Sequence, residues 1–293
     1  MRIRQTFAAA LIGLVPALTG CLSHTRIVPK TRPAEHVLDA TLDQLVQQTN
    51  AHYDSIQNMT AYVSIFATTA SPLEGTEKDS LSFDGFIFIR KPADLRVILK
   101  VPVLGSRAFD AVSDGNNFKV YIPSKNRAIV GVNNAPATEK GIYSLRPADL
   151  YDSMLVRGPS PSEIISLTSD SRIISPADKK QAAVEEPDYN LQLLSPEKNG
   201  QAKTLRIVHI SRADLLPYQQ DIYDGSGNVV TRAFYSNYQK FGGVQYPTRI
   251  IVKRPLDQYS LTITITKLDL AQKLEDDQFD LKIPDGVPIE QMK

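Results

Sequence analysis

The chain has 293 residues, 33 Lys and Arg against 32 Asp and Glu, and a formal charge of +1, a balance that gives no global attraction to nucleic acid or to an anionic membrane. Cys21 is the only cysteine, which excludes an intramolecular disulfide and any multi-cysteine metal site. The length suits one sizeable domain, or at most two, with a large core.

In chain order, Arg2 and Arg4 precede an uncharged run from Phe7 to Leu18. That run has the length of a signal-peptide core and is too short to span a bilayer. Leu18-Thr19-Gly20-Cys21 follows directly, an L-x-G-C lipobox that closely resembles bacterial lipoprotein signals. Residues 1–20 are therefore expected to be a signal peptide. Cys21 is expected to carry a covalent diacylglycerol and an N-acyl chain, with no other cofactor. Several acyl chains, at about 0.8 kcal/mol per buried CH₂, would anchor the protein to a membrane in effect permanently. Losing Arg2 and Arg4 leaves 31 basic against 32 acidic residues, a net charge of −1. The resemblance to lipoprotein signals also implies the periplasmic face of the outer membrane, because Leu22 stands where an aspartate would favour retention in the inner membrane. Residues 21–36, with Arg26, Lys30 and Arg32, read as a lipidated tether.

From residue 37 to 293 the pattern is that of one domain. Leu38, Leu42, Leu45, Val46, Tyr53 and Ile56 fall on one stripe and predict a helix over 37–59. Beyond it the period shortens toward two. Strands are predicted at 61–69, 81–90, 95–101, 108–113, 118–122 and 127–131, with Asp114-Gly115-Asn116-Asn117 as a turn. Residues 132–190 break the pattern and read as a helical insertion. One short helix is predicted over 146–156 and a second after the S-x-x-E box Ser160–Glu163, through Ile164, Ile165 and Leu167. Residues 178–187 read as a loop. Strands resume at 189–194, 204–211, 218–223, 229–238, 244–253 and 259–270, joined by short turns. The fold class is therefore mainly β (α+β), a continuous antiparallel meander of about eleven strands with an N-terminal helix and short lid helices.

Gly85, Arg90, Lys91, Pro92, Leu95 and Arg96, then Asp114, Gly115 and Phe118, and the closing segment 274–284 (LEDDQFDLKIP) together resemble the LolA/LolB superfamily of lipoprotein carriers and receptors, most nearly a lipid-anchored LolB-type protein. The resemblance implies an unclosed antiparallel half-barrel whose hydrophobic cavity takes acyl chains. It implies a role in lipoprotein or lipid trafficking or insertion, with a periplasmic LolA-like carrier as a partner. Phe86, Phe88, Leu95, Val97, Leu99, Leu205 and Ile207 are the cavity residues this reading selects. Val103 and Leu104, in the turn Val101–Ser106, are its membrane-contacting tip. The chain is longer than a typical LolB, mainly through residues 132–190 and the later hairpins.

Catalytic patterns are missing from the sequence. His24, His36, His52 and His209 make no His-x-x-x-His pair, and no Gly-x-Ser-x-Gly or P-loop segment occurs. No catalytic residue, metal site or nucleic-acid partner is expected. Two other readings stay open: a structural or interaction lipoprotein of an envelope assembly without lipid transfer, and an envelope hydrolase built around His209.

Overall fold

In the computed structural model, residues 30–71, 76–133, 135, 145–176, 178 and 181–292 are described. The expected signal peptide and Cys21 lie outside them. Among the described residues the chain forms fifteen strands in one sheet and two α-helices. The strands are β1 (Thr31–Pro33), β2 (Asn58–Ser71), β3 (Thr76–Arg90), β4 (Asp94–Lys100), β5 (Arg107–Ser113), β6 (Asn117–Ile122), β7 (Arg127–Val132), β8 (Ile164–Ile174), β9 (Ala183–Pro196), β10 (Ala202–Ser211), β11 (Pro217–Tyr223), β12 (Val229–Phe241), β13 (Val244–Arg254), β14 (Tyr259–Asp269) and β15 (Ile289–Met292). The helices are α1 (Leu42–Ser55) and α2 (Pro147–Met154).

The sheet is an open path, β1-β9-β10-β11-β12-β13-β14-β2-β3-β4-β5-β6-β7-β15, with β8 on the other side of β9. Its pairs are antiparallel except β1 with β9 and β7 with β15. The mainly β, unclosed half-barrel expected from the sequence is the fold observed.

Period-two patterning chooses the packed face. Ala61, Val63 and Ile65 of β2, Ile87 and Ile89 of β3, and Leu95, Val97 and Leu99 of β4 alternate with exposed or half-buried neighbours, and both helices contribute to the same core. α1 starts at Thr41, whose side chain accepts from the Gln44 backbone while Gln44 reaches back to the Thr41 amide, a capping box. It ends at Ser55, so the helix predicted over 37–59 is shorter at both ends, and Asn58 and Met59 already belong to β2.

Four expectations are corrected. The second short helix is instead β8, a regular partner of β9 over eleven residues. Only half of the S-x-x-E box forms, with the Ser160 amide donating to Glu163 and Glu163 paired to Arg157, and β-branched Ile164, Ile165, Thr168, Ile173 and Ile174 then favour strand over helix. The loop expected over 178–187 contains the start of β9 at Ala183. Thr31–Pro33, expected in the tether, pair with Ala183–Glu185, so the chain joins the sheet before residue 37. About eleven strands were expected, and β1, β8 and β15 account for most of the excess.

Candidate lipid-binding site

The motif residues behind the family resemblance prove to be structural. Gly85 sits where a Cβ would lie 1.9 Å from the Ile98 carbonyl oxygen, so only glycine allows β3 to approach β4 there. Gly115 has φ +90°, and a Cβ on it would lie 2.5 Å from Ala93, the turn between β3 and β4. Arg90 donates to Asp94, to Asp276 (2.7 Å) and to the Leu274 carbonyl, and its guanidinium stacks 4.7 Å from the Phe279 ring. Arg96 bonds Asp110 (3.1 Å) and the carbonyls of Gln278 and Asp280. The two arginines thus clasp the closing segment, whose Leu274 and Leu281 are buried, before the chain adds β15 beside β7. Lys91 lies 3.3 Å from the Tyr53 ring centroid and donates to the Tyr53 carbonyl; burial, against the pull of Asp54, lowers its ammonium pKa to about 8.

α2 crosses the interior, touching β4 and β5 at one side and β12 and β13 at the other. Its last carbonyls have no helical partner. They are met from the sheet floor: Gln220 donates to Asp152, Tyr235 to Ser153 and Tyr246 to Met154, at 2.8, 3.0 and 2.7 Å. Buried Arg206 donates to Gln220 at 2.9 Å and lies 3.9 Å from Asp152, a cation at the negative end of the helix. At the other end, Asp149 pairs with Arg254 at 3.0 Å. Burial raises the Asp149 pKa to about 6, with Arg254 and Arg146 opposing the rise. Tyr151 donates to the Pro92 carbonyl. Sequence reasoning missed this polar floor, although Arg206 and Gln220 stand in phase with core positions of their strands.

Among the described residues, two hollows can be placed on the packed side. One, about 370 Å³, lies between α1 and the β10–β13 turns, walled by Leu45, Val156, Ile210, Leu215 and Val244. Its polar neighbours are engaged: Gln48 donates to the Leu215 carbonyl, and His52 contacts the Gln245 carbonyl at 2.6 Å. The other, about 500 Å³, is walled by Leu81, Phe83, Leu99, Val101, Phe109, Ile122 and Leu145. Both volumes suit small-molecule sites. Arg107, also in the wall of the larger hollow, is half exposed and held at 2.9 Å by fully buried Asp110.

The larger hollow lies at the base of the β4–β5 turn, since Val101 and Ser106, the turn's two ends, are part of its wall. At the tip, Val103 is 105% and Leu104 77% exposed, and Val103 has φ +68°. A β-branched residue in the left-handed region is strained, where asparagine or glycine would be at ease.

The residues selected from sequence do not assemble as one group. Leu95, Val97 and Leu99 face the packed side, and of these Leu99 lines the larger hollow. Phe86 and Phe88 lie on the sheet's other face, stacked on each other at 5.9 Å, with Tyr62 edge-on to Phe86 at 5.1 Å. Leu205 and Ile207 alternate with Arg206 and Val208 and also lie on that other face. Phe83, Phe109, Ile122 and Leu145, which were not selected, complete the wall; the run Phe83, Leu99, Phe109 and Ile122 could have been traced from the period of β3 to β6. His209, on the outer face, lies 3.7 Å from Asp221 and beside the Tyr218 ring, and no serine is bonded to it among the described residues. Burial works against the Asp221 charge, but His209 and Arg232 hold its pKa below the usual carboxylate range.

The open sheet, with helices packed on one face, is a half-barrel whose fold is LolA-like. A structure from Vibrio parahaemolyticus described as a "putative outer membrane lipoprotein-sorting protein domain" aligns over 80% of this chain and 94% of its own, at 11% identity and TM-score 0.50. A DUF1329 family protein from Desulfovibrio piger aligns over the same shares at 16% identity and TM-score 0.51. A LolA superfamily protein from Nitrosomonas europaea covers 80% of this chain and 97% of its own at 17% identity and TM-score 0.47. A family model described only as "-like: Uncharacterized protein" matches residues 177–282. No curated protein matches the sequence. No helix among the described residues is long and apolar enough to cross a membrane.

Proposed function

We propose that this chain is a lipoprotein anchored through Cys21 to the periplasmic face of the outer membrane, and that it shelters acyl chains during lipoprotein or lipid trafficking. The observation that carries the reading is the apolar hollow of about 500 Å³ at the base of a turn that presents two exposed apolar residues. Acyl CH₂ groups leaving a membrane would each expose surface worth about 0.8 kcal/mol. A dry recess beside a greasy tip supplies the shelter and the point of contact. The process is reversible burial with no covalent step. The fold shared with the Vibrio domain, described as a "putative outer membrane lipoprotein-sorting protein domain", supports the reading.

Leu99→Trp tests this directly. The chain has no tryptophan, so the introduced indole is the sole reporter of its kind. Filling the hollow is expected to weaken binding of a fluorescent fatty acid by at least tenfold, with the circular dichroism unchanged. A parent protein that binds no acyl probe would defeat the reading. It would favour a structural or interaction lipoprotein of an envelope assembly, the alternative consistent with the solid packing around α2.

A further inference from the structure

The two borders of the sheet are unlike. β15 is four residues long. β8 is eleven, and its register with β9 runs from Ile164↔Leu194 to Ile174↔Val184 without a bulge. Among the described residues its other side has no strand partner. Native edges are usually blunted by shortness, proline, lysine or a bulge. β8, reading IISLTSDSRII, has none of these, carries one acid and one base, and exposes Ile164 (46%), Ile173 (66%) and Ile174 (37%) at its two ends.

The strand's two ends match when it is read in both directions, Ile164-Ile165 against Ile173-Ile174 about Ser169. With Ser169 at the centre of a two-fold axis, an antiparallel copy would place Ile164 opposite Ile174, Ile165 opposite Ile173, Ser166 opposite Arg172, Leu167 opposite Ser171 and Thr168 opposite Asp170. Both exposed isoleucine clusters gain apolar partners, and every charge faces a neutral hydroxyl. Arg172 is already held within the chain, bonded to Glu186 at 2.6 Å and stacked 3.5 Å from the Tyr218 ring, so its charge is not stranded at the seam. The closest like charges would be Asp170 and its own symmetry mate, an exposed diagonal pair that salt screens. A one-residue slip would keep one isoleucine pair at each end and set the other isoleucines against polar or charged neighbours.

We propose that β8 is a self-association edge, and that two copies of this chain pair antiparallel along it to form one continuous sheet. A closed two-fold contact of this kind uses the same patch on both subunits and leaves no further β8 edge open. The inference rests on the open edge and its matching apolar ends, independently of any lipid site.

The test is disulfide trapping in the full chain in detergent, with the parent, whose only cysteine is Cys21, as control. Ser169 would face its own mate at a Cα separation within disulfide range, whereas two copies of Ser166 would lie roughly 20 Å apart. Mild oxidation of Ser169→Cys is expected to give at least ten times more covalent homodimer than the parent or Ser166→Cys. Adding Ile173→Lys to Ser169→Cys should reduce that yield tenfold. Sedimentation should show the parent as a dimer and Ile173→Lys alone as a monomer. The proposal is overturned if Ser169→Cys gives no dimer above the parent, if Ser166→Cys traps equally well, if the adduct contains a different protein, or if the parent sediments as a monomer.

Discussion

The middle of the half-barrel and its β4–β5 end are built from the same strands yet treat their interior in opposite ways. In the middle, α2 is bolted across the sheet by Gln220, Tyr235 and Tyr246 at one end and Arg254 at the other, and side chains fill the space. At the β4–β5 end, the same face of β4 opens onto a hollow of about 500 Å³, with Leu145, just ahead of α2, in its wall. One strand shows both behaviours: Leu95 is 0% and Leu99 3% exposed, but only Leu99 lines the hollow. Burial alone therefore does not distinguish a packed wall from a cavity wall. What distinguishes them is whether the facing element supplies atoms.

The sharpest way to break that comparison is the same substitution at both positions. Leu95→Trp overpacks a filled interior and is expected to cost about 3 kcal/mol or more. Leu99→Trp extends into open space and is expected to stay within about 1 kcal/mol of the parent. Urea unfolding of both variants measures the difference; equal costs would mean that the hollow is not available to a guest. A smaller effect comes from the polar floor. Tyr246→Phe removes the donor to the buried Met154 carbonyl and should cost about 1–3 kcal/mol through the orphaned acceptor, with no loss of acyl-probe binding.

The contrast between the two regions also explains what could be read from the chain. Alternation was legible where one face is apolar and the other is not, as in β4 and β14, and short turns such as Asp114–Asn117 announce themselves. β8 was misread because its apolar ends sit next to a helix-like cap. β1 and β15 are too short to show a period. The cavity was only half legible: the pleat separates Leu95, Val97 and Leu99 from Ile98, but nothing in β3 alone says that Phe86 and Phe88 belong to the outer face. That assignment depends on Gly85 and on the register with β4, which are tertiary facts.

The filled region carries a pH signature. Burial raises Asp149 to about 6 from an ordinary 3.8. A carboxyl that takes up its proton more readily folded than unfolded stabilises the fold most below pH 4. That contribution is lost as the pH rises through about 6. The full rise would correspond to about 3 kcal/mol, and because 23% of the side chain remains exposed the expected loss is on the order of 1–2 kcal/mol. Asp149→Asn should flatten the urea midpoint between pH 4 and 6. A parent whose stability rises with pH over that window would show that the Arg254 pairing outweighs burial.

The smallest expected effect on stability, and the one closest to function, is at the tip. Leu104 is 77% exposed and packs little, so Leu104→Glu should shift the unfolding midpoint by no more than about 0.5 kcal/mol. A carboxylate there would oppose insertion of the turn into lipid while leaving the hollow intact. Acyl-probe binding in detergent-free solution should be unchanged, and transfer of that probe to vesicles should slow several-fold. If transfer is unaffected, the exposed pair is only a strained turn and acyl chains reach the hollow by another route. If binding falls together with transfer, the tip and the hollow act as one site, and the division between membrane contact and shelter drawn at Val101 and Ser106 has no basis.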